Sequence, residues 1–173
     1  QTIVAGDNNT FKATKTAAGL VGFAANGTVL KNCVNNLNIW SAANEKAAGL
    51  IACAQAGKST GDGVVIENCS SYGNITAKDG TTRAVGLVCY ADFAVTFKGD
   101  NIVGGTATIG PNGKSVIDVA KGNVTLEDGA TFTVPTGYKT VTDGKAVDGL
   151  IYATVDGNVA ASYDKDILSG SSC

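Results

Sequence analysis

Five cysteines, Cys33, Cys53, Cys69, Cys89 and Cys173, are the most reactive side chains in a 173-residue chain that has no histidine. No two stand in a Cys-x-x-Cys pair, so with imidazole absent as well a zinc site is not predicted. Thiol pairing is the chemistry left open. An odd count leaves one thiol over, and Cys173, closing the small polar tail DILSGSSC, is the candidate free or intermolecular thiol. Acid–base chemistry has little to work with: three Glu, twelve Asp and a single arginine, Arg83. Six of the aspartates (Asp62, Asp79, Asp128, Asp143, Asp148, Asp156) precede a glycine. That is turn chemistry, an Asx side chain bonding its own backbone beside a residue free to take positive φ. Gly57-Lys58-Ser59 has the ending of a phosphate-binding loop, but Ala52 stands where the first glycine belongs and no helical pattern follows. No catalytic residue, cofactor or metal is predicted. A polysaccharide lyase or glycosidase is the enzymatic alternative, since folding could bring two carboxylates together.

Two weaker signals concern sugars. Asn-x-Ser/Thr occurs at Asn8, Asn26, Asn68, Asn74 and Asn123. Asn68 adjoins a cysteine expected to be buried, which leaves Asn8, Asn26, Asn74 and Asn123 as candidate N-glycosylation sites. Trp40, Tyr72, Tyr90, Tyr138 and Tyr152 could be platforms for sugar rings, but with aromatics at only 6% of the chain, packing inside the fold competes for them. The net charge of −2 is scattered, so neither a nucleic-acid footprint nor a polybasic membrane patch is expected, and no apolar run is long enough to span a membrane. The lack of any methionine, with Gln1 in front, leads to the expectation of a secreted, extracellular or cell-surface chain whose signal peptide has been removed.

The elements that must position these groups are written three times. AAGLVGFA (17–24), AAGLIACA (47–54) and AVGLVCYA (84–91) place Gly19-Leu20, Gly49-Leu50 and Gly86-Leu87 at one recurring position, at intervals of 30 and 37 residues. Such periods belong to stacked-repeat architectures. In the first two copies a glycine-centred apolar strand is followed by a turn, a second strand, Asn32-Cys33 or Asn68-Cys69, and a third strand. The third copy keeps the strands but has Lys98-Gly99 in place of Asn-Cys. After residue 115 the pattern decays into short valine-rich strands and Asp-Gly turns.

The order Gly-Leu-Val/Ile, turn, Val/Ile-x-Asn-Cys, then a closing Gly/Asn-x-Ile strand as at Gly73-Asn74-Ile75, resembles the GLUG-type repeat of bacterial cell-surface and adhesin proteins over residues 17–91. The first copy departs by having Asn36 or Asn38 where Gly is usual, and the third lacks Asn-Cys. The resemblance implies an extracellular β-solenoid without catalytic residues. The expected fold is therefore all-β: an N-terminal arm or cap strand (1–16), a parallel β-helix or β-solenoid of three or more irregular turns (17–110), and a C-terminal β region with Asp-Gly turns (111–173).

Stacking at the parallel-strand spacing of roughly 4.8 Å turns equivalent residues into columns. Cys33 and Cys69 then share a column with Cα atoms about 5 Å apart, suitable either for a disulfide or for two packed thiols. Cys53 and Cys89 fall four and three residues after their glycines and so on opposite faces. Strict alternation also separates Leu20, Gly22 and Ala24 from Val21 and Phe23, leaving both faces apolar. The second face, Val21, Phe23, Ile51, Val88 and Tyr90, is expected to be covered by the C-terminal region or by a neighbouring subunit. Neither end of the chain carries a capping helix or charge cluster, and uncapped strand edges invite association. The predicted function is a non-catalytic extracellular structural protein, an adhesin segment or self-assembling fibre subunit. A carbohydrate-binding or polysaccharide-acting β-helix protein and a viral or phage fibre segment are the alternatives.

Overall fold

A computed structural model describes residues 9–13, 16–41, 46–56, 63–77, 83–89, 91, 93–105, 107–108, 115–118, 124–133, 138–140, 150–155 and 158–159. Among these every regular element of two residues or more is a β-strand. Strand β1 (Thr10–Ala13) precedes the first repeat, which contributes β2 (Ala17–Ala18), β3 (Val21–Ala25), β4 (Val29–Lys31), β5 (Val34–Asn35) and β6 (Asn38–Ser41). The second repeat supplies β7 (Lys46–Ala48), β8 (Ile51–Ala56), β9 (Val64–Glu67), β10 (Ser70–Ser71) and β11 (Ile75–Ala77). The third supplies β12 (Arg83–Val88), β13 (Val95–Lys98), β14 (Asp100–Val103) and β15 (Ala107–Thr108). Then follow β16 (Ser115–Asp118), β17 (Val124–Leu126) and β18 (Thr131–Thr133), and finally β19 (Tyr138–Thr140), β20 (Leu150–Val155) and β21 (Asn158–Val159).

Each sheet takes one strand from each repeat in turn. The orders are β1-β6-β11-β15, β5-β10-β14-β18, β4-β9-β13-β17 and β2-β7-β12-β16, with β3 on β8 beside the last. All of these pairings are parallel, an arrangement compatible with a β-helix. Parallel pairing continues through β17 and β18, so it extends beyond residue 110 to Thr133. The last three strands differ: β20 pairs antiparallel with β16, β19 and β21. The described part of the N-terminal arm is built into a sheet, since Thr10, Phe11, Lys12 and Ala13 pair with residues 38–41.

The recurring glycines sit where neighbouring repeats touch. Ala17 and Ala18 pair with Ala47 and Ala48, which pair with Ala84 and Val85, so the three Gly-Leu steps are in register. A Cβ on Gly49 would run into the Gly86 carbonyl oxygen and the Ser71 hydroxyl, and one on Gly19 into the Gly49 carbonyl oxygen. Only hydrogen fits there.

At these glycines the strand bends, and the bend resets the alternation of faces. The N–H groups of both Leu20 and Val21 donate to the Leu50 carbonyl, at 3.3 and 2.9 Å, and the register of β12 on β16 shifts between Val85 and Val88. As at a β-bulge, two consecutive residues then turn the same way. Leu50, Ile51, Leu87 and Val88 all enter one core with Val64, Ile66, Val95 and Phe97, and Leu20 and Val21 pack against it. The expectation that Val21, Ile51 and Val88 form a separate outer face is thereby corrected. Small residues hold the opposite side, where Ala48, Ala52, Val85 and Cys89 make a second buried cluster. Ala47, Ala48, Leu50, Ile51, Ala52, Cys53 and Ala54 are all fully buried, so this stretch is covered on both faces within one chain.

The Asn-Cys signature is a corner. Asn32 and Asn68 adopt left-handed φ values of 54° and 50°, and Gly99 takes 59° at the matching place in the third repeat. Asparagine and glycine tolerate that conformation best, which accounts for the exchange of Asn for Gly. Asn68 Oδ1 accepts the Asp100 N–H at 2.9 Å, tying one corner to the next.

Candidate functional site

The N-terminal strand of each stack exposes what the strand paired with it buries. Phe11, Phe23, Val29 and Val34 are 44%, 54%, 59% and 52% exposed, whereas their register partners Ile39, Cys53 and Ser70 for Phe11, Phe23 and Val34 are buried and Val65, opposite Val29, is half-buried. The four lie on β1, β3, β4 and β5, the terminal strands of their sheets among the described residues. Apolar area therefore coincides with strands that have a neighbour on one side alone among the described residues, the kind of edge on which another strand can add.

Next to the corners runs a ladder of charge. Lys31, Glu67 and Lys98 are paired in register, and Glu127 directly follows β17. Lys31 Nζ lies 2.9 Å from Glu67 Oε1, and Lys98 Nζ lies 3.5 Å from Glu127 Oε1. Each of these residues follows an apolar one, Leu30, Ile66, Phe97 and Leu126, and these four also pair in register along the sheet. The alternation is hidden in the sequence because the residue before Asn-Cys is Lys31 once and Glu67 once. Only the register reveals the pattern.

A third feature lies on the sheet of β1, β6 and β11. Trp40 stands between Lys12 and Thr76, and the Lys12 ammonium is 5.8 Å from the centroid of its ring. A shallow groove of about 450 Å³ is lined here by Thr10, Lys12, Asn38, Trp40, Asn74 and Thr76. An indole among hydroxyl, amide and ammonium groups offers a flat apolar face with hydrogen-bonding partners around it. Of the other proposed platforms, Tyr72 is exposed at 48% just after β10, beside Gly104, and Tyr90 lies outside the described residues. The side chains of Tyr138 and Tyr152 lie outside the described set as well.

Cys33 and Cys69 occupy neighbouring corners, and both are free thiols rather than a bridge. The Cys69 S–H is shared between the Glu67 and Leu30 carbonyls at 3.3 and 3.5 Å, and the Cys33 S–H faces the Lys31 carbonyl at 3.4 Å. Burial pushes the Cys69 thiol up from its ordinary value, helped by the charge that Cys33 would place beside it and opposed by a backbone hydrogen bond from Cys33. Cys69 is therefore held as a neutral thiol, the poorly reactive form. Cys89 is buried and forms no disulfide, so it does not pair with Cys53, which is disulfide-bonded. Cys173 lies outside the described residues.

Among the sequons, Asn26 is half-buried with its Oδ1 accepting the Gly63 N–H at 3.0 Å, and Asn74 is exposed with its N–H donating to Asn38 Oδ1 at 2.8 Å. Asn68 is exposed despite its buried cysteine neighbour, because the left-handed corner turns the two side chains apart. Asn8 and Asn123 lie outside the described residues. No group of three or more Cys, Asp or Glu that could hold a metal ion occurs among the described residues, and no helix among them is long and apolar enough to cross a membrane. Comparison with protein-family models, curated proteins and solved structures finds no match to this chain.

Proposed function

We propose that the chain is a non-catalytic extracellular structural protein, an adhesin-like segment or fibre subunit, whose repeats coil as a parallel β-solenoid and which self-associates through the end made by its first repeat. One observation carries this reading: Phe11, Phe23, Val29 and Val34 are exposed together on four strands that are terminal in their sheets among the described residues. A disulfide at Cys53 suits an oxidising, extracytoplasmic compartment, and the repeat's likeness to GLUG-type surface proteins points the same way. Light scattering over a concentration series tests it. The full chain is expected to gain mass with concentration, and Phe23→Ser to gain less; a chain monomeric at every concentration overturns the reading.

The groove at Trp40 favours a second reading, carbohydrate binding, which is compatible with an adhesive role. A glycan array probed with the full chain and with Trp40→Ala separates the two. Binding lost in the variant supports a sugar site there; no glycan bound by either protein removes it.

A further inference from the structure

The open first repeat and the far end of the parallel sheets carry opposite ends of one charge ladder. In the order β4, β9, β13, β17 the ladder reads Lys31, Glu67, Lys98, Glu127. Four rungs that alternate in sign must begin with a cation and end with an anion. Both terminal members keep an open side, Lys31 being 57% and Glu127 53% exposed at the side chain. Beside them the row Leu30, Ile66, Phe97, Leu126 likewise ends at the two terminal strands of this sheet among the described residues.

Resting on the self-association argued above, we propose that the occupant of the first-repeat end is a second copy of this chain seated head to tail. Its β4 adds in parallel to β17, with Leu30 against Leu126 and Lys31 against Glu127, so the alternation runs unbroken across the joint. Symmetric pairings lose this match: joining like ends runs the edge strands antiparallel and brings together two ends whose terminal rung is Lys31, or two whose terminal rung is Glu127, so no Lys–Glu rung forms across the joint. The wider charge distribution agrees. Residues 9–41 contain Lys12, Lys15 and Lys31 and no acidic residue, whereas the turn after β17 sets exposed Asp128 beside Glu127.

The two ends are also stepped in a complementary way. At the first-repeat end the sheet of β6 projects one strand further, as β1. At the opposite end, among the described residues, that same sheet stops at β15 in the third repeat, while β17 and β18 extend their sheets by one more strand. An incoming β1 fits the gap, with Phe11 falling in the column of Ile39, Ile75 and Ala107. The sheet of β16 differs, because antiparallel β20 already holds the edge that an incoming β2 would take. Assembly therefore requires β20 to yield that edge, which makes β19 to β21 a cap on the joint.

The test uses the full chain, K31E, E127K and an equimolar mixture of the two variants, by sedimentation velocity over a concentration series. Each variant alone is expected to associate roughly five- to tenfold more weakly than wild type, the scale of exchanging an attractive exposed pair for a repulsive one. The mixture is expected to recover wild-type assembly, since every joint between unlike variants again opposes unlike charges; recovery also shows that both variants fold. Should a reversed charge prevent folding, K31Q and E127Q take its place, each weakening association about two- to threefold. A wild-type chain that stays monomeric removes self-association and this joint with it. A wild-type chain that assembles while both variants match it, or while folded variants fail to complement, keeps self-association and overturns the head-to-tail register.

Discussion

Substituting Gly49 and Gly22 by alanine isolates the close approach between repeats from every other property of glycine. Neither residue sits at a positive φ, so both accept alanine without backbone strain. A Cβ at Gly22 meets nothing within 4 Å, whereas at Gly49 it collides with the Gly86 carbonyl oxygen and the Ser71 side chain. Backbone cannot rotate aside as a side chain can, so the second repeat must move off the third. That movement strains the bond from the Gly49 N–H to the Val85 carbonyl, now 3.2 Å long. Overpacking a filled site costs about 1–3 kcal/mol and a weakened hydrogen bond about 1 kcal/mol more. Gly49→Ala should therefore lose about 2–4 kcal/mol, lowering Tm by roughly 5–15 °C for a chain of this size. Gly22→Ala should be neutral or gain about 0.5 kcal/mol by restricting the unfolded chain. Urea titration and calorimetry of the two variants side by side decide it. Equal stabilities would refute the claim that these glycines exist for contact between repeats.

Other outcomes follow from the corners, the core and the thiols. Asn68→Ala should cost about 1 kcal/mol in urea unfolding, while Asn68→Gly should cost less, because the φ of 50° penalises alanine alone. Phe97→Ala removes the largest fully buried side chain among the described residues and should cost about 3–5 kcal/mol by the same assay. The raised Cys69 thiol binds its proton more tightly folded than unfolded, so its contribution is intact below the unfolded thiol value and is lost as pH rises through the folded one. Stability should thus decline above about pH 8.5, and Cys69→Ala should flatten that decline in denaturation curves taken from pH 7 to 10. Iodoacetamide should label half-exposed Cys33 before buried Cys69, as read by peptide mass; the reverse order would contradict the corner geometry.

Periodicity made the columns legible, and counting along the strand did not make the faces legible. Matching AAGL to AAGL and AVGL places Ala17, Ala47 and Ala84 in one row, as the pairing has them, because a repeated peptide can stack only in phase with itself. Assigning Val21, Ile51 and Val88 to a separate face assumed a period of two running through Gly-Leu. The bend breaks that period, and nothing in a single sequence states where a bulge falls. Asn-Cys was readable as a recurring pair but not as a corner, since an asparagine at positive φ is indistinguishable by type from one in a loop. The Trp40 groove escaped for another reason: Lys12, Trp40 and Thr76 come from three parts of the chain and meet only through register.

The alternation of Lys31, Glu67, Lys98 and Glu127 also bears on how the chain finds its fold. Repeats of similar sequence can be mistaken for one another while the chain collapses, and a first repeat that skipped the second to dock on the third would find compatible apolar strands waiting. It would also bring Lys31 against Lys98. Skipping from the second repeat to the strand of Leu126 would bring Glu67 against Glu127. Every omission of a single repeat thus opposes like charges, while every correct adjacency opposes unlike ones. The ladder acts as a parity check on folding, favouring neighbours in sequence as neighbours in space.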